Sequence, residues 1–189
     1  GRLLLFAFDR AYDDAGQPLP DDTEFFTPVE YVASLAKARP DLFVACASVH
    51  PYRADAVAAL EQAAALGCVA VKWLPNAMNI DPSSARCDAS YQTMARLGLT
   101  LITHAGEEKA VHSEERQRLG NPLLLRRALE HGVKTVVAHC ASLGRQSTGL
   151  PLLAASVCDT GSTCMPFRSR SAACMIAHCS VLTGCLKSM

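Results

Sequence analysis

Thr100-Leu-Ile-Thr-His-Ala-Gly-Glu-Glu108 decides how the rest of the chain is read. A short apolar run ends in His104, and Gly106, Glu107 and Glu108 follow at once. A strand that ends in a metal-capable side chain and opens into a polar loop is how an α/β barrel presents chemistry. The same pattern returns one unit later in Lys134-Thr-Val-Val-Ala-His-Cys140, which ends in His139.

Upstream, Val69-Ala-Val-Lys-Trp-Leu74 reads as a strand closed by Pro75. Leu42 to Val49 is apolar on both alternations, as expected of a parallel strand covered on both faces. Leu3 to Phe8 reads as a further strand. Helical patterns separate these runs. Thr27 and Pro28 suit a helix start, with Val29, Val32, Leu35 and Ala36 as its apolar face and Pro40 as its stop. Ala54 to Leu66 offers Val57, Leu60 and Ala64 as a buried stripe. A third helix runs through Tyr91, Met94 and Leu97, and Asn121-Pro122 opens a fourth that fills to His131. Gly67, Gly98 and Gly132 each end a helix just before a strand. The segments 9–22, 76–84 and 107–118 read as polar loops, and long loops are often functional.

Strand and helix thus alternate, which argues for a parallel sheet with right-handed crossovers. An eight-stranded barrel and an open doubly wound sheet both fit. No G-x-G-x-x-G or G-x-x-x-x-G-K-[ST] occurs, so the nucleotide-binding versions lose support.

At 189 residues the default is one domain, and half the residues are apolar, enough for a core. Lys+Arg and Asp+Glu balance at 18 each, which argues against a polyanion-binding surface. No run approaches the length of a transmembrane helix. The run Leu3 to Phe8 is short and Asp9 and Arg10 follow it, so it reads as a buried strand and not as a signal peptide. The expected location is cytoplasmic. The chain begins at Gly1, almost inside that strand, as expected of a fragment. The nine cysteines form no C-x-x-C pair. Cys46, Cys68, Cys87 and Cys140 sit in or beside core elements and read as small buried hydrophobes.

From Gln146 the alternation stops. The tail holds seven serines, five cysteines and Asp159 as its single carboxylate. Residues 1–145 are therefore expected to form a partial barrel domain of about five βα units. Residues 146–189 are expected to be an atypical tail, a frame-shifted or non-native continuation, with short helices over 150–157 and 174–186.

His104 and His139 are the leading candidates for chemistry. Adjacent parallel strands lie roughly 4.8 Å apart, so two imidazoles on neighbouring strand ends can share one divalent ion. Alternatively, one binds the ion and the other handles a proton. Lys72 lies inside an apolar run, where burial lowers its pKa and permits carboxylation, Schiff-base formation or charge pairing with substrate. His50 and Asp9 end the two earlier strands and face the same rim as candidate substrate contacts, with Glu107 beside them. Trp73 falls on the opposite alternation from Lys72 and reads as core. His112, His131 and His178 read as structural or solvated, with His131 suited to the end of its helix.

Val-Lys-Trp-Leu-Pro at 71–75, Ile-Thr-His-Ala-Gly-Glu-Glu at 102–108 and Val-Val-Ala-His-Cys at 136–140 stand in order at βα spacing. In this set the chain, from about Leu3 to Ser142, resembles the amidohydrolase superfamily, especially its amidohydrolase-related branch of metal-dependent hydrolases and decarboxylases. The resemblance implies a (β/α)8 barrel with a divalent metal, commonly zinc, at the C-terminal rim. It matches His104 to the fifth-strand histidine, His139 to the sixth-strand histidine and Lys72 to the fourth-strand position, carboxylated in some members. This chain departs from the pattern in having no H-x-H pair and no aspartate on an eighth strand.

The expected function is hydrolysis of an amide or ester, or non-oxidative decarboxylation, in an incomplete copy of weak or no activity. His104 and His139 are the expected metal ligands, and His139 and Lys72 the expected catalytic groups. Expected partners are a small-molecule substrate and further copies of the chain, with no nucleic acid and no membrane. Two alternatives stand beside it: a barrel lyase forming a Schiff base at Lys72, and a non-enzymatic barrel fragment.

Overall fold

The computed structural model describes residues 1–108 and 114–138. Five strands form one parallel sheet: β1 (Leu3–Phe6), β2 (Phe43–Ala47), β3 (Ala70–Trp73), β4 (Thr100–His104) and β5 (Thr135–Ala138). Their order across the sheet is their order in the chain. A doubly wound sheet reverses direction at a switch point, which places helices on both faces. Right-handed crossovers that always step the same way place every helix on one face. The sheet is therefore an arc of the (β/α) barrel type, and of the two architectures the alternation allowed, the barrel is the one that forms.

Register fixes which side chains face in. Leu5 pairs with Ala45, Ala47 with Val71, and Val71 with Leu101. These residues point outward, where the helices α1 (Val29–Ala38), α2 (Ala56–Ala65) and α4 (Asp88–Leu97) cover them. Trp73, Leu60, Tyr91 and Met94 centre the largest apolar cluster, and α5 (Arg126–Glu130) adds Ala128. Trp73 is core, as its alternation required, and its indole Nε1–H donates to Val49 O at 2.9 Å. The alternate residues Leu4, Cys46, Ala70, Ile102 and Val136 form a second layer on the inner face. Lys72 and His104 lie on that inner face, toward the strand C-termini.

Gly67, Gly98 and Gly132 all adopt positive φ at the helix-to-strand turns. Cys46, Cys68 and Cys87 are buried and free. No helix among the described residues is long and apolar enough to cross a membrane. Residues 146–189, with the two short helices expected there, lie outside the described residues.

Several local expectations change. The buried stripe of α2 is Ala56, Leu60 and Ala63, and Val57 is exposed. Alanine is apolar enough to face the sheet and small enough to let α2 approach it, so the face rotates by one position. In α1 the buried residues are Val32 and Ala33, and Leu35 is exposed. Thr27 does not cap that helix. Its backbone instead pairs with Phe8, which ties the helix start to the end of β1. Within 76–84 a helical turn, α3 (Pro75–Met78), replaces open loop and ends at Asn79 in the left-handed conformation. Residues 122–130 split into a 3-10 turn, Pro122–Leu125, and the short α5, with the Asn121 side chain capping as expected. The segment 9–22 is internally bonded, with a bridge between Tyr12 and Pro18.

Candidate functional site at the strand ends

β4 carries His104 at its last position, opposite Ala138 in register. Lys72 stands opposite Ile102 on β3, so His104 lies one inner-face step closer to the rim. That offset is two residues along and one strand across, about 8 Å between α-carbons. Both side chains are buried.

Beyond His104 the chain turns at Gly106, whose φ of 102° strongly favours glycine. The turn returns Glu108 to the histidine, with Oε2 3.6 Å from His104 Nδ1. Glu107, expected as a substrate contact, is half-buried in the same turn, and Glu108 is a carboxylate against the imidazole. Nothing in the spacing signals this, because a residue four positions past a strand end meets it only if the turn closes. Burial lowers the Lys72 amine to about 8, against smaller opposing influences from Cys46 and Glu108. The inner face thus gathers a desolvated lysine, a strand-end histidine and one carboxylate.

His50 and Asp9 are brought together, but by bonds within the protein. Tyr52 N–H donates to His50 Nδ1 at 3.1 Å, which leaves Nε2 as the protonated nitrogen, donating to Met78 O at 2.7 Å. The ring sits between Tyr12 and Tyr52, and burial lowers its pKa to about 4. Asp9 Oδ2 accepts from His50 N–H at 2.8 Å and from Arg53 at 3.0 Å, and Oδ1 accepts from Arg10 N–H. Both ring nitrogens of His50 are thus engaged within the protein, while the Asp9 carboxylate keeps acceptor capacity. These bonds join the ends of β1 and β2 to α3, and Arg53 is the member of the group that sequence reading missed.

The loop after β4 is anchored by residues that carried no sequence signal. Gly106 N–H donates to Gly120 O at 2.8 Å. Asn76 and Gln117 bond the backbone of the same loop. A side chain at position 120 would run into Gly106 O and the Asn76 amide. The backbones of Gly106 and Gly120 thus approach each other closely.

His139 and His112 lie outside the described residues. His131 is bound on the outer surface, its Nε2 3.0 Å from Asp88 Oδ1.

The described residues do not make a metal shell. Among them no three His, Cys, Asp or Glu side chains group closely enough to hold an ion. His104 and Glu108 supply two donors, one short of the three protein ligands a catalytic zinc takes.

Two solved structures are similar to this chain. One, from Pseudomonas putida and provisionally named a 2-pyrone-4,6-dicarboxylic acid hydrolase, is 18% identical with a TM-score of 0.45, over 59% of this chain and 37% of that one. The other, an amidohydrolase II, is 16% identical with a TM-score of 0.46, over 72% of this chain and 67% of that one. The chain therefore spans little more than a third of the length of the first. No curated protein matches it. The family model for amidohydrolases matches residues 4–157, from β1 through β5 and beyond, and so the chain belongs to the amidohydrolase family.

Proposed function

We propose that the inner rim of this sheet is a hydrolase site acting on an amide or ester of a small molecule. The observation that carries the reading is Glu108 against His104 Nδ1, beside a buried Lys72. A carboxylate 3.6 Å from one ring nitrogen favours the proton on that side electrostatically, leaving the other nitrogen as the base. His104 would take a proton from water as it attacks the carbonyl. Lys72, mostly cationic at neutral pH, would balance the charge that develops on the carbonyl oxygen or hold a substrate anion. The sequence also allows non-oxidative decarboxylation at the same groups.

Members of this family generally use divalent metals; with zinc held by His104 and His139, the remaining ring nitrogen of His104 would be a ligand and the proton-carrying role would pass from His104 to His139. The described residues do not complete such a shell. The test is hydrolysis of a panel of small esters and amides, with metal content measured in parallel. We expect His104→Ala to lower turnover by about a hundredfold. We expect bound zinc to fall in both His104→Ala and His139→Ala. Turnover unchanged in His104→Ala would overturn the site, and zinc content unchanged in both variants would overturn the metal.

One observation favours a second reading. An amine near 8 is in part a free nucleophile at neutral pH, so Lys72 could condense with a ketone or aldehyde, forming an imine and releasing water. Borohydride with a keto acid would then leave a reduced adduct at Lys72. No adduct, together with chelator-sensitive ester hydrolysis, would return the site to the first reading.

A further inference from the structure

Asn76 is fully buried at the first turn of α3, far in sequence from the loop it touches. Its Nδ2 donates to Gln117 Oε1 at 3.0 Å, Gly106 O at 3.2 Å and Gln117 O at 3.3 Å. Turning the amide over would aim its oxygen at three oxygens, so this orientation is the one the neighbours enforce. Gln117 then bonds both backbone polar groups of Glu108. Glu108 N–H donates to Gln117 Oε1 at 2.8 Å, and Gln117 Nε2 donates to Glu108 O at 3.0 Å. Gly106 N–H to Gly120 O closes the same structure from the backbone. The described stretches 105–108 and 115–120 are thus stapled together, and α3 holds the staple.

We infer that Asn76 and Gln117 are positioning residues that hold the Glu108 carboxylate on His104. The physical reason is that Glu108 reaches His104 only through the positive-φ turn at Gly106, which its own sequence does not enforce. An unclamped loop would spread the carboxylate over many positions and lose the orientation of the imidazole. The carbonyl of Gly106 and both backbone groups of Glu108 are fixed by side-chain amides instead of by a strand or helix partner. The consequence for catalysis rests on the hydrolase reading. The clamp itself does not.

Two measurements separate these. In NMR of the full chain, Gln117→Ala is expected to speed exchange of the Glu108 amide by about tenfold, with Leu101 and Val71 amides as unchanged controls for the fold. The Glu108 carboxyl carbon shift is expected to move in Gln117→Ala in the same direction as in His104→Ala. Asn76→Ala should reproduce both effects, and Gln117, half-buried, serves where Asn76→Ala fails to fold. An unchanged Glu108 exchange rate, or a carboxyl shift insensitive to Gln117→Ala, would overturn the clamp. Hydrolysis of p-nitrophenyl acetate then tests the link to turnover. Glu108→Gln and Gln117→Ala should each lower kcat about tenfold with KM little changed, and the double variant should lose no more than either. Additive losses would overturn the positioning role. A wild-type chain that fails to hydrolyse the ester would sink the hydrolase reading while the NMR result still decides the clamp.

Discussion

At the scale of single residues, two buried titratable groups carry the same kind of burial cost in different pH windows. His50 is fully buried, and loss of hydration lowers its pKa from 6.5 to about 4. Its bond to Met78 O and the Asp9 charge oppose the shift, and Arg86 and Arg53 add to it. The unfolded chain binds the proton more readily between those values, so stability rises with pH through that window and is full above 6.5. Acidification from pH 7 to pH 4 should therefore remove about 3 kcal/mol through this group. Urea titrations of the wild type and His50→Gln check it: the variant should have the shallower slope over that range. Lys72 is lowered from 10.5 to about 8, again chiefly by burial. Here too the unfolded state binds more protons inside the window, so the cost is full below 8 and fades as pH approaches 10.5. Lys72→Met should stabilise the fold at pH 7 by up to about 3 kcal/mol, and the gain should shrink in the alkaline range. A lysine kept at that cost is expected where its charge is used, so the same variant should lose esterase activity.

At the scale of elements, the strands were legible and the helix faces less so. The strands were readable because runs buried on both faces are mostly apolar, as in Phe43 to Ala47. The glycines at 67, 98 and 132 marked helix ends because each takes a backbone conformation that side chains disfavour. The face of α2 was misplaced because hydrophobicity ranks valine above alanine, while packing against a sheet rewards the smaller residue. The turn α3 was missed because Pro75-Asn-Ala-Met78 has too few residues to show a period. The loop that carries Glu108 depends on such unreadable contacts, and Gly120 is the sharpest test of it. Gly120→Ala would drive a methyl group into Gly106 O and the Asn76 amide. The expected cost is about 1–3 kcal/mol, with a chemical shift change at Glu108 that a surface substitution would not produce. Arg126→Ala on α5 is a fit comparison.

At the scale of the whole molecule, the order of the strands places Lys72 and His104 together on the inner face of one arc. β1 is an edge strand among the described residues, and Leu3 and Phe6 are exposed on it. An exposed apolar edge is a template for pairing with another chain. Leu3→Lys is expected to reduce concentration-dependent association in light scattering while leaving the melting temperature nearly unchanged. The alternation of strands and helices, the strand-end position of His104 and the core role of Trp73 were determined by the sequence alone, because a period of two and a run of apolar residues are local properties. Whether the sheet curves as a barrel or reverses could be decided only by tertiary structure, since both architectures share the same alternation. The carboxylate that meets His104 was also a tertiary decision. Glu107 and Glu108 are equivalent in sequence, and what separates them is a turn at Gly106 held by amides from Asn76 and Gln117. Contacts between residues thirty or more positions apart, as between Asn76 and Gly106, leave no period for a sequence to display.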